Sequence, residues 1–527
     1  MLRGNCRSVS KETRHVAARL QTLDSRGLLG PSVPVGGWRR VAVDCLTVSG
    51  ATVICHGLGA ITSLLLKVLL DPAQMGVWQA LKMLLSYSNY TNLGISKGAV
   101  RDYTIALGRG ETTEARRGLD LAFTFNTVTS LIYAALLLGA AFWIGAGNAS
   151  PTARPWAIGL AVMGGLAVLS RYVTFQVTIL RAHKAFDLTA RLSVLEAVLT
   201  VSVCGLATWA WGVYGLFFGT LVVLLGTFLY IQQYRTVDLR WAFDASQMGR
   251  LISVGGPILL AGTMVTVFRS LDKLMILGYM SDREFQLGCY SVALMVSGQI
   301  YGLGNMLSIV MNPRYGEKYG ETGDRREVAR LAAASSQLHA AAMALPAALS
   351  VILAVPLLAK VLPDYQTGLP ALVWLAPATV TLVLSLPAGQ YLVAVGRQMR
   401  ALLAVLPAIA VAALGNHLAL RGGFGLTGVA AATAVAYVAY TVLVVGISFW
   451  QELNRNQRGR HLLLTALVLL PTLAVSIVLE RVAPGNQVGL SAILGKTLIV
   501  TSVWAVTIAA SWFWGGWEHL WKRRRLS

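Results

Sequence analysis

Three charged residues lie inside a long apolar stretch of the chain, between residues 251 and 311. Arg269, Asp272 and Lys273 are embedded in the sequence FRSLDKLMIL. On one continuous helix these positions are related as i, i+3 and i+4, so they would share a face. Each charge at the centre of a membrane helix costs about 2.5–3.5 kcal/mol on insertion scales, so the three cannot face lipid. Since Asp272 can neutralise one neighbour, the turn predicts a cationic cavity wall of the kind a transporter needs.

The composition of the whole chain places that turn in a membrane. Hydrophobic residues make up 55% and charged residues 13% of the 527 residues, and the mean hydropathy is +0.62. Because a bilayer is crossed by about 20 apolar residues, these runs predict an all-α polytopic membrane protein with about fourteen transmembrane helices. The predicted spans are 41–66, 76–100, 118–145, 157–180, 188–210, 213–234, 251–279, 285–311, 331–358, 366–395, 401–419, 425–449, 461–481 and 490–514.

The basic residues predict an orientation. The chain carries 44 Lys and Arg against 23 Asp and Glu, a net charge of +21. Most of the basic residues fall in the two tails and in alternate loops, so the positive-inside rule predicts that both termini are cytoplasmic. Residues 1–40 are expected to be a disordered basic tail, and residues 515–527 a second basic tail. Because the charges are dispersed among short loops, nucleic-acid binding is not favoured.

An internal repeat organises the chain. The positions that match at one constant offset include Asn92 and Asn305, Arg101 and Arg314, Gly212 and Gly425, Gly215 and Gly428, and Thr220 and Thr433. The repeat predicts two pseudo-symmetric lobes of six helices, 41–234 and 251–450, with two further helices at 461–514. Since six is even, the lobes have the same orientation in the membrane, and a substrate would bind in a central cavity between them.

Polar residues recur along the second helix of each lobe. Lys82, Ser86 and Asn89 are spaced every three to four residues in the first lobe, and Tyr301 and Asn305 follow the same spacing in the second. Such a stripe is typical of a wet cavity wall, although Ser, Asn and Tyr also form hydrogen bonds between packed membrane helices. The substrate-binding residues predicted from these patterns are Lys82, Asn89, Arg269, Asp272, Lys273 and Asn305.

Other intramembrane polar residues suggest lesser roles. Glu196, deep in the fifth span, is a candidate for proton or cation coupling. Arg171 is a weaker candidate to line a path. Lys67 and Lys496 lie near span ends, where long side chains are expected to reach the interface.

The motifs that would indicate an enzyme or a motor are not found in the sequence. The stretch GLSAILGKT at 489–497 approaches a phosphate-binding loop, but its spacing is one residue too long and it lies in an apolar span. The five cysteines form no C-x-x-C pair, and no cluster of metal-binding side chains is evident. We therefore expect a transporter with no enzymatic activity, cofactor or metal.

Several segments resemble one known family. FRSLDKLMILGYMSDREFQLGCYSVA and the Asn-Pro-Arg turn at 312–314 resemble the seventh and eighth helices of bacterial polysaccharide transporters, the O-antigen and exopolysaccharide flippases of the multidrug/oligosaccharidyl-lipid/polysaccharide exporter superfamily. Similar resemblances are found at 71–103, in TILRAHKAFD at 178–187 and in WGVYGL at 211–216. The similarity covers most of residues 41–450.

The resemblance implies a substrate and a location. The cargo would be an oligosaccharide joined to undecaprenyl through pyrophosphate, moved across the bacterial inner membrane by alternating access. Membrane lipids, a coupling proton or cation, and polysaccharide assembly proteins would be the other partners. Two alternatives stay open, which are a flippase for a lipid II-type peptidoglycan precursor and a multidrug or organic-cation antiporter of the same superfamily. The antiporter would need acidic residues in its cavity, and the excess of intramembrane Lys and Arg argues against it.

Overall fold

The computed structural model describes residues 38–109, 112–147, 153–183, 185–234, 238–483 and 489–513. The predicted tails at 1–40 and 515–527 lie almost entirely or entirely outside them. The described residues form helices joined by turns, in this order: α1 (Trp38–Leu69), α2 (Pro72–Tyr87), α3 (Ile95–Arg109), α4 (Thr112–Gly147), α5 (Ala153–Ala182), α6 (Phe186–Leu199), α7 (Gly205–Gln233), α8 (Ala245–Phe268), α9 (Leu271–Tyr279), α10 (Arg283–Thr322), α11 (Arg325–Leu349), α12 (Val355–Val361), α13 (Leu369–Leu384), α14 (Leu386–Ala394), α15 (Ala401–Arg421), α16 (Gly425–Ile447), α17 (Arg455–Val482) and α18 (Leu490–Phe513).

The prediction of an all-α polytopic membrane protein is confirmed. In the described part of the chain, 11 helical segments are long and apolar enough to cross a membrane. A bent pair, Ala245–Pro257 and Leu259–Phe268, makes a twelfth. Two predicted spans lie in one continuous segment, Asp187–Gln233, which contains a non-helical break at Trp211 and Gly212. The count of fourteen stays a prediction.

Two predicted spans are interrupted where their polar residues lie. The span 76–100 is divided between α2 and α3 by a 3₁₀ turn, Ser88–Tyr90, and by Leu93 and Gly94, whose φ angles are 50° and 86°. Lys82 and Ser86 lie on α2, whereas Asn89 lies in the 3₁₀ turn after it, so a continuous helical stripe from Lys82 to Asn89 is wrong. The span 251–279 is likewise divided, since α8 ends at Phe268 and α9 begins at Leu271.

The structure separates into two compact units. The first, here the N-terminal unit, comprises residues up to Leu70 and Val77–Thr263. Its core joins α3, α4, α5 and α8 through buried apolar side chains that include Ile95, Leu119 and Leu251. Gly94 and Gly255 allow the close approach of two backbones, because a Cβ on Gly255 would lie 2.0 Å from the Gly94 carbonyl oxygen.

The second unit, here the C-terminal unit, comprises Asp71–Gly76 and the residues from Met264 onward. Helix α10 packs along α13 and α11, and α17 packs against α11 and α18. A Cβ on Gly76 would lie 1.7 Å from the Glu284 carbonyl oxygen, and one on Gly288 would lie 1.7 Å from that of Pro72. The first turns of α2 and α10 therefore cross in close contact. Gly76 of α2 lies against the backbone of α10, and Gly288 of α10 lies against the backbone of α2.

Local geometry supports the sequence repeat. Gly212 and Gly425, which are matched in the repeat, have φ angles of 58° and 57°. Gly76 and Gly288 match when a single-residue gap is allowed, and they have the reciprocal contacts just described. Equivalent positions thus have equivalent backbone roles, as expected of a duplicated fold.

Candidate functional site

Arg269 lies in the turn between α8 and α9. Its backbone N–H still donates to the Val265 carbonyl at 3.1 Å, but the Ser270 N–H donates to Val267 at 3.0 Å, which closes a tighter turn. The prediction that Arg269 shares one helical face with Asp272 and Lys273 is wrong, because the helix ends between them. Of the three charged residues, Arg269 lines the cavity described below, and Asp272 and Lys273 do not.

The guanidinium of Arg269 stacks on an aromatic ring. Its Cζ atom lies 3.8 Å from the centroid of the Tyr301 ring, a cation–π geometry. The side chain of Tyr437 lies near the same guanidinium. Stacking fixes the guanidinium plane while its edge N–H groups stay able to bind an anion with two parallel hydrogen bonds.

A cavity of about 260 Å³, here the Arg269 cavity, adjoins this arginine. Its polar lining includes Tyr301, Asn312, Ser385 and Gln390. Gln390 donates from Nε2 to the Ser308 carbonyl at 3.0 Å, whereas its Oε1 atom is buried without a hydrogen-bond partner. No carboxylate is among the described residues that line this cavity. The wall thus offers a cation, aromatic rings and a free amide acceptor, which suit a phosphate carrying hydroxyl-rich groups.

Asp272 and Lys273 lie at the start of α9, within electrostatic range of Arg269. The carboxylate of Asp272, a residue only 2% exposed, accepts a hydrogen bond from the Tyr290 hydroxyl at 2.9 Å and one from the Lys273 backbone N–H at 2.8 Å. Lys273 is half-buried and electrostatically coupled to this carboxylate. Neither residue lines the Arg269 cavity. Asn305, also half-buried, lies one turn after Tyr301 on α10.

Lys82 and Asn89, the predicted binding residues of the N-terminal unit, are both exposed. Asn89 donates from Nδ2 to the Ser86 carbonyl at 3.4 Å. Lys67 was expected to reach the interface and instead is 2% exposed, with Nζ 3.2 Å from the Ser63 hydroxyl. Its charge lies close enough to that of Lys82 for the two to repel. The proximity of these two lysines is not revealed by their spacing in the sequence.

Glu196, the predicted coupling residue, lies on α6 with its side chain exposed. It is within electrostatic range of Cys55 on α1. The structure does not join it to the other predicted site residues. Among the described residues, no three His, Cys, Asp or Glu side chains come together as metal ligands would.

Arg171 has a larger structural role than the sequence indicated. It is 4% exposed, and its guanidinium donates to the Asn126 amide oxygen at 2.7 Å, to the Thr129 hydroxyl at 3.2 Å, and to Ser88 and Thr91 in the turn between α2 and α3. All four acceptors are neutral. Arg171 holds the non-helical turn in place, and it borders a second cavity, of about 370 Å³, within the N-terminal unit.

Lys496 also departs from expectation. It was predicted to reach the interface, but it is 5% exposed and lies 3.3 Å from the Glu480 carboxylate. Its ammonium group also donates to the Ala483 carbonyl. The pair satisfies both charges inside the α17–α18 hairpin, so neither side chain needs water.

More than half of the chain matches a known protein family. The match extends over residues 65–363, and the family is described as polysaccharide biosynthesis protein. The chain belongs to this family. No curated protein matches the chain significantly.

Several solved structures have a fold similar to that of this chain. The lipid II flippase MurJ, in an inward closed conformation, matches with a TM-score of 0.66 at 13% identity, covering 90% of this chain and 99% of that one. An inward-facing multidrug resistance MATE transporter of the MOP superfamily matches with a TM-score of 0.57 at 16% identity, covering 79% and 98% of the two chains. A MOP superfamily transporter from Pyrococcus furiosus, described by the reverse polarity of its binding pocket, matches with a TM-score of 0.56 at 15% identity, covering 80% and 96%.

Proposed function

We propose that this protein flips a polyprenyl-pyrophosphate-linked oligosaccharide, a polysaccharide repeat unit, across the bacterial inner membrane by alternating access. Both termini would be cytoplasmic, as the basic loops predict. Membership of the polysaccharide biosynthesis family supports the cargo class, and the transporter fold supports the mode of action. A proton or cation, and polysaccharide assembly proteins, are the further partners that we propose.

The observation that carries the proposal is the chemistry of the Arg269 cavity. A pyrophosphate cannot cross hydrocarbon unless its charge is matched and its oxygens are hydrogen-bonded. Arg269 supplies a stacked guanidinium, and the free oxygen of Gln390 can accept from a sugar hydroxyl. The cavity of about 260 Å³ has room for part of a headgroup, while a polyprenyl chain would stay in lipid.

The remaining predicted residues have proposed supporting roles. Lys82 and Lys273 would add positive potential along the path of the headgroup, and Asp272 would limit the affinity by offsetting Lys273. Asn89 and Asn305 would hydrogen-bond to sugar hydroxyls. Glu196 stays a proposed coupling residue.

A lipid II-type precursor is the second candidate cargo. The match to MurJ, which extends over 90% of this chain, favours it. Both cargoes present a pyrophosphate, so the Arg269 cavity serves either. An organic-cation antiporter is less favoured, because a cationic cavity wall would repel its substrate.

Deletion of the gene tests the proposal and separates the two cargoes. Loss of the flippase should leave a lipid-linked glycan on the inner leaflet, where chemical analysis would identify it. A polysaccharide repeat unit in a viable strain supports the first cargo, whereas arrested wall growth with accumulated precursor supports the second. Unchanged leaflet distribution of both lipids would refute the proposed function.

A further inference from the structure

His339 on α11 is a fully buried histidine within the C-terminal unit, at 0% exposure. Its Nδ1 atom lies 2.7 Å from the Ser335 carbonyl oxygen. Its Nε2 atom lies 2.9 Å from the Ser308 hydroxyl and 3.2 Å from the Gly304 carbonyl oxygen. Both ring nitrogens therefore face a carbonyl, which can only accept hydrogen bonds.

This set of partners can satisfy the ring in either protonation state. Because the Ser335 carbonyl needs a donor, Nδ1 carries hydrogen in either state. In neutral imidazole the Nε2 lone pair can accept a hydrogen bond from the Ser308 hydroxyl. The Gly304 carbonyl oxygen also lies close to Nε2, but no hydrogen is then available between these two acceptors. In imidazolium Nε2 carries a hydrogen that the carbonyl or the hydroxyl can accept, so each nitrogen has a matching partner.

The sequence repeat gives a second, independent observation. At the offset that pairs Asn92 with Asn305, His339 matches Asn126, and Leu384 matches Arg171. In the N-terminal unit Asn126 accepts from the permanent cation Arg171 at 2.7 Å. The C-terminal unit has a buried leucine at the position of that arginine. A protonated His339 would supply a positive charge at the position where the other unit has a guanidinium.

Hydrogen bonds connect His339 to the Arg269 cavity. Ser308 bonds His339 through its hydroxyl and accepts from Gln390 through its carbonyl at 3.0 Å. Gln390 lines the cavity beside Arg269. An anion bound there would favour charge on the imidazole through this chain of contacts, since Coulomb interactions are weakly screened in a buried site.

The hydrogen-bond partners of His339 are neutral, and the ionisable groups on the elements packed against α11 have other contacts. Helix α13 carries none in its sequence. Tyr315 on α10 lies near Ser335, and His461 on α17 lies near the Ala333 backbone. Glu480 on α17 pairs with Lys496 on α18, Lys318 on α10 with Glu327, and Glu452 with Arg397, while Tyr391 lies on α14. The cavity thus presents to His339 the charge of Arg269 together with that of whatever occupies it.

We propose that His339 is a proton-binding site that is coupled to the Arg269 cavity, so that a proton and an anionic cargo headgroup bind cooperatively. The coupling rests on the proposed function, whereas the proton site itself does not. Thermodynamic linkage requires the effect to be reciprocal, so each ligand raises the affinity for the other by the same factor. We expect about a tenfold effect, within the usual range for coupled sites.

Histidine-selective NMR of the purified protein tests both parts. The chain has 7 histidines, and the signal absent from both His339→Asn and His339→Gln identifies His339. We expect this signal to change from neutral to imidazolium as the pH falls from 8 to 5, with about tenfold higher proton affinity when farnesyl pyrophosphate, a short polyprenyl pyrophosphate, is present. A ring that stays neutral throughout this range, with and without the probe, would overturn the proton site.

The affinity for farnesyl pyrophosphate across the same pH range tests the coupling from the other side. For each protein we take the ratio of the affinity at pH 5.5 to the affinity at pH 8. This ratio should be about tenfold larger in wild type than in His339→Asn. The variant serves as the reference because titration of the probe affects both proteins equally. His461→Asn, at another buried histidine of the same unit, should behave like wild type. Equal pH dependence in wild type and His339→Asn would refute coupling. Absence of binding at any pH would instead contradict the proposed function, and the titration without probe would still decide the proton site.

Discussion

Replacing Arg269 removes the one cation among the described residues that line the Arg269 cavity. In Arg269→Ala the cavity keeps Gln390 and Tyr301 but loses the guanidinium that stacks on that ring. In Arg269→Lys the charge is kept, but the planar, two-pronged donor is lost. Comparison of the two variants therefore separates charge from geometry.

The expected size of the effect follows from the site. Two unit charges about 4 Å apart attract by about 4 kcal/mol at an effective dielectric of about 20. Desolvation of both groups offsets part of this, so hydrogen bonds to charged groups contribute about 1.5–3 kcal/mol net. Since about 1.4 kcal/mol corresponds to tenfold in affinity, Arg269→Ala should weaken pyrophosphate binding by about 10- to 150-fold. Arg269→Lys should weaken it by several-fold.

Titration of purified variants with farnesyl pyrophosphate measures this effect. Arg283→Ala is a matched control, because Arg283 is an exposed arginine of the same unit. Its Nε atom forms an ion pair with Oε1 of Glu284, its neighbour on the same helix, at 3.2 Å. This control should bind like wild type. Equal affinity in wild type and Arg269→Ala, with both proteins folded, would refute the assignment of Arg269 to an anion site.

Three further predictions concern stability, measured as thermal unfolding in detergent. Lys496→Met should destabilise by about 3–5 kcal/mol because it leaves the buried Glu480 carboxylate unpaired, and Glu480→Leu combined with Lys496→Met should recover most of the loss. Gly288→Ala should destabilise the protein strongly, since its Cβ would lie 1.7 Å from a backbone oxygen, whereas Gly298→Ala on the same helix has open space and should not. Burial lowers the pKa of His183. The stability that the neutral imidazole contributes is therefore fully present above the unfolded-state pKa of about 6.5 and is lost as the pH falls below that value. Wild type should lose more stability than His183→Gln between pH 7 and 5.

Each stability prediction has an outcome that contradicts it. A Lys496→Met variant as stable as wild type would show that the ion pair contributes little to the stability of the folded protein. Tolerance of alanine at both Gly288 and Gly298 would disprove the close crossing of α2 and α10. Parallel pH profiles for wild type and His183→Gln would exclude His183 from the acid sensitivity.

The sequence was most informative about the features that a membrane requires, which are apolar helices long enough to cross it and charged residues that avoid lipid. Apolar length and the cost of buried charge predicted the all-α polytopic fold, and Gly212 and Gly425, which the repeat matches, have the same sign and size of φ. These features depend on composition and on glycine's freedom at positive φ, which are visible without coordinates.

The details of the candidate site depended on backbone breaks that spacing does not reveal. The pattern placed Arg269 and Asp272 on one face, whereas the turn at 269–270 separates them. Lys67 and Lys496 looked like interfacial lysines, but tertiary partners bury them. The contacts of Arg171 and the proposed role of His339 depend on residues that are distant in the chain, so no local pattern could have assigned them.

Translocation by the purified protein alone tests the central claim most directly. Proteoliposomes would carry a fluorescent polyprenyl-pyrophosphate oligosaccharide, and a membrane-impermeant quencher would report its transfer between leaflets. We predict transfer that is much faster than in protein-free vesicles and is largely lost in Arg269→Ala. Transfer no faster than in protein-free vesicles, from a folded protein that binds the lipid, would contradict the account.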